Sequence, residues 1–277
     1  MNLRDLPYTT DDIFPSGNYA FHMRFRRGAI PDFFANQPDA ESVLAERRKW
    51  LDCNAADYAA MLPGGEAILD EVIELAKTFG VPVPQAGTPI ERCIALSRSW
   101  EPDLLFLRIE ANSQPELVGG CVCFPSSWSL AEKIGRPLDV IHEPVATFNA
   151  QFANPVRQFL DKMKPGISWE RINWGLSRSP ELNQHPMRML PRLDGSVNLN
   201  DVWFRVEYQS LVALPKTQGI LFGIRLVLES LEVLSHDAEF SRGLERALQT
   251  MPESVARYKG ILPARDRLIE LLRTHRP

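Results

Sequence analysis

The chain has 277 residues, of which 44% are hydrophobic and 24% charged, enough to bury the core of one large domain or two small ones. A net charge of −4 offers nucleic acid no global basic field, and the short basic clusters at 24–27 and 45–49 read as solvated surface. No apolar run approaches the roughly 18 residues of a membrane span and the N-terminus lacks an apolar signal core, so the expectation is a cytoplasmic protein without nucleic-acid or membrane partners.

Residues 1–37 are rich in Pro, Gly and aromatics and have no period; they read as an N-terminal arm on a single domain spanning 38–277. Apolar spacing predicts helices over 39–61, 65–79 and 90–100. The period then changes to two, with strands at 104–111 and 116–124 joined as a hairpin. A short helix is expected over 126–135, capped by Ser126 or Ser127 and closed by Gly135. A further helix covers 148–163, interrupted or restarted at Pro155. Strands follow at 167–176, 201–214 and 218–230, with a long polar loop over 177–200. The C-terminal stretch 238–275 reads as helical with a break at 260–265. This order predicts an α+β fold around a mostly antiparallel sheet of about five strands. No G-x-G-x-x-G and no G-x-x-x-x-G-K-[ST] occurs, so a Rossmann or P-loop nucleotide site is not expected. The four cysteines, Cys53, Cys93, Cys121 and Cys123, form no C-x-x-C pair and read as reduced thiols.

Three places put polar groups where a core is expected. On the strand over 203–211, Phe204, Val206 and Tyr208 share one face, while Arg205, Glu207 and Gln209 share the other. The strand over 218–230 is apolar on both faces except for Arg225. A turn over 214–218 centred near 216 sets Glu207 opposite Arg225, either as a structural ion pair or as the wall of a pocket to which Gly223 gives room. On 167–176, Trp169, Arg171 and Asn173 share a face, with Ile172 and Trp174 on the reverse.

His142 stands alone in an apolar loop. The five histidines, His22, His142, His185, His236 and His275, show no chelating spacing, so a multi-histidine metal site has no local support. A lone histidine is either a satisfied core residue or the single axial ligand a haem needs. Lys133 and Arg136 upstream, and Arg171, Arg205 and Arg225 on the sheet, are cations that two propionates could use. A Ser-His-Asp hydrolase lacks its G-x-S-x-G turn.

The segments CFPSSWSLAEKIGRPLDVIHEPV (123–145), RINW (171–174), FRVEYQSLVALP (204–215), LFGIR (221–225) and RYKG (257–260) come in this order and, together with RRKWLDCNAADY (47–58), resemble the haem-dependent oxidative N-demethylase family. The resemblance runs from about residue 40 to 260. It implies a PAS-like antiparallel domain holding haem b, with His142 as iron ligand. It implies cofactor contacts from Lys133, Arg171, Asn173 and Trp174, and a reaction site at Glu207, Arg225 and Arg205. It also implies a monooxygenase that uses O2 on a small amine or N-methyl substrate, with electrons from a separate reductase or ferredoxin-type donor. Two alternatives stay open at this point: a haem or small-molecule sensor without turnover, and an assembly subunit that has lost haem.

Overall fold

The computed structural model describes residues 3–20, 24–110, 113–143 and 148–275, with side chains for all of these except 4 and 148–153. Its strands are β1 (Arg26–Gly28), β2 (Ala59–Met61), β3 (Asp103–Arg108), β4 (Glu116–Cys121), β5 (Ser168–Ser177), β6 (Trp203–Ala213) and β7 (Ile220–Ser230). Its helices are α1 (Thr10–Ile13), α2 (Ile30–Phe34), α3 (Glu41–Asn54), α4 (Gly65–Thr78), α5 (Pro89–Ser97), α6 (Leu138–Ile141), α7 (Phe148–Asp161), α8 (Leu231–Ser235), α9 (Ala238–Thr250), α10 (Glu253–Tyr258) and α11 (Arg265–Thr274). The fold is α+β, as expected. Among the described residues no helix is long and apolar enough to cross a membrane.

The sheet has seven strands rather than five, all antiparallel, in the order β1-β5-β6-β7-β3-β4-β2. The five longer strands are those that alternation marks. The other two, β1 and β2, have three residues each, too few to display a period of two. β2 lies in the tail of the predicted helix 39–61, which ends at Asn54 and turns through Ala55–Asp57. β1 belongs to the expected arm, which also forms α1 and α2.

One face of the sheet carries the larger core. Phe204, Val206, Leu221, Val227, Leu104 and Phe106 meet apolar side chains of α4, α5, α9 and α11 there. Thr88 and Glu91 cap α5 reciprocally, and Asp237 accepts from two backbone N–H groups to start α9. Phe33 and Phe34 of α2 are fully buried on this face, against Gly223. A Cβ at Gly223 would lie 2.7 Å from the Phe33 ring and 2.8 Å from that of Phe34. The missing side chain thus makes room for the N-terminal segment, not for a ligand.

The opposite face carries Leu105, Leu211, Ala213, Ile220 and Ile224, covered by residues of the 128–141 segment and by Val156, Phe159 and Leu160 of α7. The segment entering α6 is tied to β4: Gly135 N–H donates to Leu117 O (2.8 Å) and Leu138 N–H to Pro115 O (2.9 Å). The helix expected over 126–135 is a single 3₁₀ turn, Leu130–Glu132, that begins at Ser129. Neither earlier serine caps it: Ser126 bonds Glu207, and Ser127 has a positive φ of 64°.

The β6–β7 register decides what each face displays. Ala213 pairs with Ile220, so the connection is Leu214–Gly219, one residue longer than the five-residue turn expected. Glu71 of α4 holds it, accepting from Lys216 N–H (2.7 Å), Thr217 N–H (3.0 Å) and Thr217 Oγ1 (2.8 Å). Glu207 therefore pairs with Leu226, and Arg225 pairs with Tyr208. Because side chains alternate, that single residue sends Arg225 through the sheet to the other face.

Candidate functional site

Glu207 is the centre of a polar cluster on the face that α6 and α7 cover. Ser126 Oγ donates to its Oε1 at 2.6 Å; Gln209 Nε2 and Asn173 Nδ2 donate to its Oε2 at 2.9 and 3.2 Å. Asn173 pairs directly with Glu207 across β5–β6, and Arg171 pairs with Gln209. Alternate positions on two neighbouring strands thus assemble one patch.

Arg205 shares that face but is spent on structure. It is buried, and its guanidinium donates to Phe124 O and Leu182 O (both 2.8 Å), to Glu181 O and Pro125 O (3.3 and 3.4 Å), and through Nε to Ser126 Oγ (2.8 Å). Burial pulls its pKa down to about 10, against the pull of Glu207. Its work is to pin two loops to β6 and so aim Ser126 at Glu207. Arg225, on the other face, ion-pairs with buried Glu101 and donates to Phe33 O and Ala35 O, both at 2.7 Å. It lies apart from Glu207 and acts as a structural ion pair. Trp174 also packs on that reverse face, stacked on Phe204 with 5.6 Å between centroids. The structure therefore brings Arg171, Asn173, Arg205 and Glu207 together, and leaves Arg225 and the Trp174 ring out.

His142 follows α6 directly. Its backbone N–H and its ring Nδ1 both meet Leu138 O, at 3.0 and 2.7 Å. A carbonyl only accepts, so Nδ1 carries the proton and the lone pair of a neutral ring resides on Nε2. Burial pulls the imidazole pKa below its ordinary value; the Leu138 bond opposes this, while Lys133 and Arg171 reinforce it. Those two cations are thus within electrostatic reach of the ring. Lys133 Nζ lies 3.5 Å from Ile141 O and 6.0 Å from the Trp128 ring centre, and burial lowers its pKa. Burial likewise lowers that of Arg171, which Glu207 partly offsets. Phe25, Phe159 and Trp169 form an aromatic wall on the same face, Phe25 stacked on Phe159 at 4.5 Å. Trp169 Nε1 is buried without a hydrogen-bond partner. His22 and residues 144–147, which follow the His142 loop, lie outside the described residues.

Sequence reasoning missed two members. Ser126 reads as a helix cap, yet it bonds Glu207. Lys259, just after α10, donates to Trp174 O (2.5 Å) and Asn173 Oδ1 (3.1 Å), with its Nζ 5.2 Å from the Trp174 ring centre. Among the described residues β1 pairs with 168–170 of β5, and farther along that strand Trp174 O accepts from the lysine. Nearby, between residues 12–20, β5 and α9, lies a cavity of about 170 Å³. It is lined in part by Tyr19, Arg24, Arg171 and Asn173. Among the described residues no group of three or more His, Cys, Asp or Glu side chains could hold a metal ion.

One neutral imidazole, an aromatic wall and several partly buried cations are the surroundings a porphyrin takes from a protein. A family model described as haem-dependent oxidative N-demethylase, alpha subunit-like, matches residues 67–269, well over half of the chain and including every residue of the cluster. The chain belongs to the haem-dependent oxidative N-demethylase alpha subunit-like family.

Proposed function

We propose that this chain binds haem b on the His142 face of a PAS-like sheet, where His142 Nε2 would hold its iron. We further propose that it acts as a monooxygenase on a small amine or N-methyl compound, with electrons from a separate reductase or ferredoxin-type donor. The observation that carries this reading is the Nδ1–H bond of His142 to Leu138 O, which leaves Nε2 as the basic nitrogen, as in ligating histidines generally. The residues present fit the group in two further ways. Lys133 and Arg171, near the imidazole, suit two propionates. The unpartnered Trp169 Nε1 on the same face is a donor in search of an acceptor. When bound, haem supplies the activation of O2 that removes the methyl group as formaldehyde.

The chain's own residues bind and orient. Glu207 already accepts from Ser126, Asn173 and Gln209 and has Arg171, Arg205 and Lys259 within electrostatic reach. Its charge is so well compensated that a cationic ammonium gains little from it. On this reading the amine enters neutral, through the cavity that reaches Arg171 and Asn173 from the edge of β5, and Glu207 holds the polar end of the site in place. The apolar side chains around α6 and α7 exclude water. The test is formaldehyde release from N-methyl amines by hemin-loaded protein supplied with a ferredoxin and its reductase. Turnover that rises with the neutral-amine fraction supports the reading. Soret absorbance without formaldehyde from any N-methyl amine contradicts it and leaves a sensor.

A further inference from the structure

We infer that Lys259 is a positioning residue: its Nζ fixes the Asn173 amide, and through it the Glu207 carboxylate, so that ligand affinity on the His142 face depends on whether Lys259 carries its proton. The inference rests on the proposed function only for what occupies that face.

An ammonium only donates, and an ionised carboxylate only accepts. Asn173 lies between one of each: Lys259 Nζ donates to its Oδ1 at 3.1 Å, and its Nδ2 donates to Glu207 Oε2 at 3.2 Å. One amide orientation satisfies both contacts; the flipped amide would set an NH2 against the ammonium and a carbonyl against the carboxylate. The second lysine contact, to Trp174 O at 2.5 Å, anchors Nζ to the outer edge of β5 and keeps it from swinging away. The Trp174 ring, 5.2 Å from Nζ, adds a cation–π contact that a neutral amine lacks.

The groups facing Lys259 oppose one another. Glu207 from β6 draws the proton on, and Arg171 from β5 pushes it off. Burial dominates both and brings the lysine pKa down to about 8. Its neighbour Arg257 points out to an ion pair with Glu253 on α10. The lysine therefore titrates where its proton state is open to change, whereas an exposed lysine at about 10.4 does not. With the proton lost, the amine gains a lone pair, the flipped amide becomes tolerable on that side, and the cluster loses one positive charge beside Glu207. An anionic ligand on this face is then held on the order of tenfold more weakly, the worth of one charge at the effective dielectric of a partly buried site.

The test uses full-length protein without hemin, labelled with 15N at asparagine side chains. The Asn173 amide signal is identified by its absence in Asn173→Ala and followed from pH 6.5 to 9.5. The expected result is a titration of that signal with a midpoint near pH 8 in the wild type, abolished in Lys259→Met, whose signal is displaced at every pH. Lys259→Arg restores a near-native, pH-independent signal, because arginine stays charged. An Asn173 signal that ignores pH and ignores Lys259→Met overturns the inference. So does a titration that persists in Lys259→Met. Should Lys259→Met fail to fold, the wild-type titration and the Lys259→Arg spectrum decide. A parallel hemin titration at pH 7 and pH 9 expects affinity to fall about tenfold in the wild type and to stay level in Lys259→Arg. A wild type that takes up hemin with equal affinity at both pH values overturns the functional half. A wild type that takes up no hemin counts against the proposed occupant, and the amide signal then decides on Lys259 alone.

Discussion

Replacing Arg225 with methionine separates the two faces of the sheet. The guanidinium is 3% exposed and its partner Glu101 7% exposed, so the pair is cut off from water. Methionine keeps most of the volume and removes the charge. Glu101 then keeps the Gln37 backbone N–H (3.0 Å) but loses its cation, and Phe33 O and Ala35 O lose their donor. Breaking a buried pair by deleting one partner costs about 3–5 kcal/mol, which is about two to three and a half powers of ten in the folding equilibrium. The assay is guanidinium unfolding followed by tryptophan fluorescence, with the midpoint lowered at unchanged slope. Adding Glu101→Gln to Arg225→Met should recover part of the loss, because the stranded charge is gone. Where Arg225→Met is too unstable to measure, Arg225→Lys, which keeps charge but loses the fork, should sit between. Hemin uptake by the folded fraction should be unchanged, since the ion pair lies across the sheet from Glu207. A loss below about 1 kcal/mol, or hemin uptake abolished at full stability, would refute the reasoning from register.

Two further outcomes follow from the packing and the titrating groups. Gly223→Ala drives a methyl into the Phe33 and Phe34 rings and should cost about 1–3 kcal/mol by overpacking, read as a lowered unfolding midpoint. The pKa of His142 is held below that of the unfolded chain, so between the two values the unfolded state binds more protons and stability rises with pH. The stability it contributes is therefore present above about pH 6.5 and lost as pH falls through the depressed native value. Unfolding midpoints from pH 5 to 7.5 should show this slope in wild type and a shallower one in His142→Gln.

Alternation is a local property, and it made β3 to β7 and the faces of Arg205, Glu207, Arg171 and Asn173 legible. Register is not local. The β6–β7 loop gains one residue because Glu71, far away in the chain, binds the turn backbone, and that residue moves Arg225 away from Glu207. Trp174 was readable as lying on the reverse face from Asn173, and its ring does; it meets the cluster through Lys259, which its carbonyl and its ring both contact. Lys259 sits at the end of a short helix 86 positions from Asn173, and no period points it there. Ser126 carries a cap-like signature, but the demand of Glu207 for donors outweighs one turn of 3₁₀ helix. β1 and β2 are too short for any pattern and form because edges of longer strands offer them backbone partners.

The most direct measurement of the central claim is a hemin titration of purified protein followed by Soret absorbance, wild type beside His142→Ala, each repeated with imidazole added. The account predicts stoichiometric uptake by wild type, loss or displacement of the band in His142→Ala, and its return when free imidazole fills the space the side chain left. A His142→Ala protein with the wild-type spectrum and affinity, indifferent to imidazole, would contradict it.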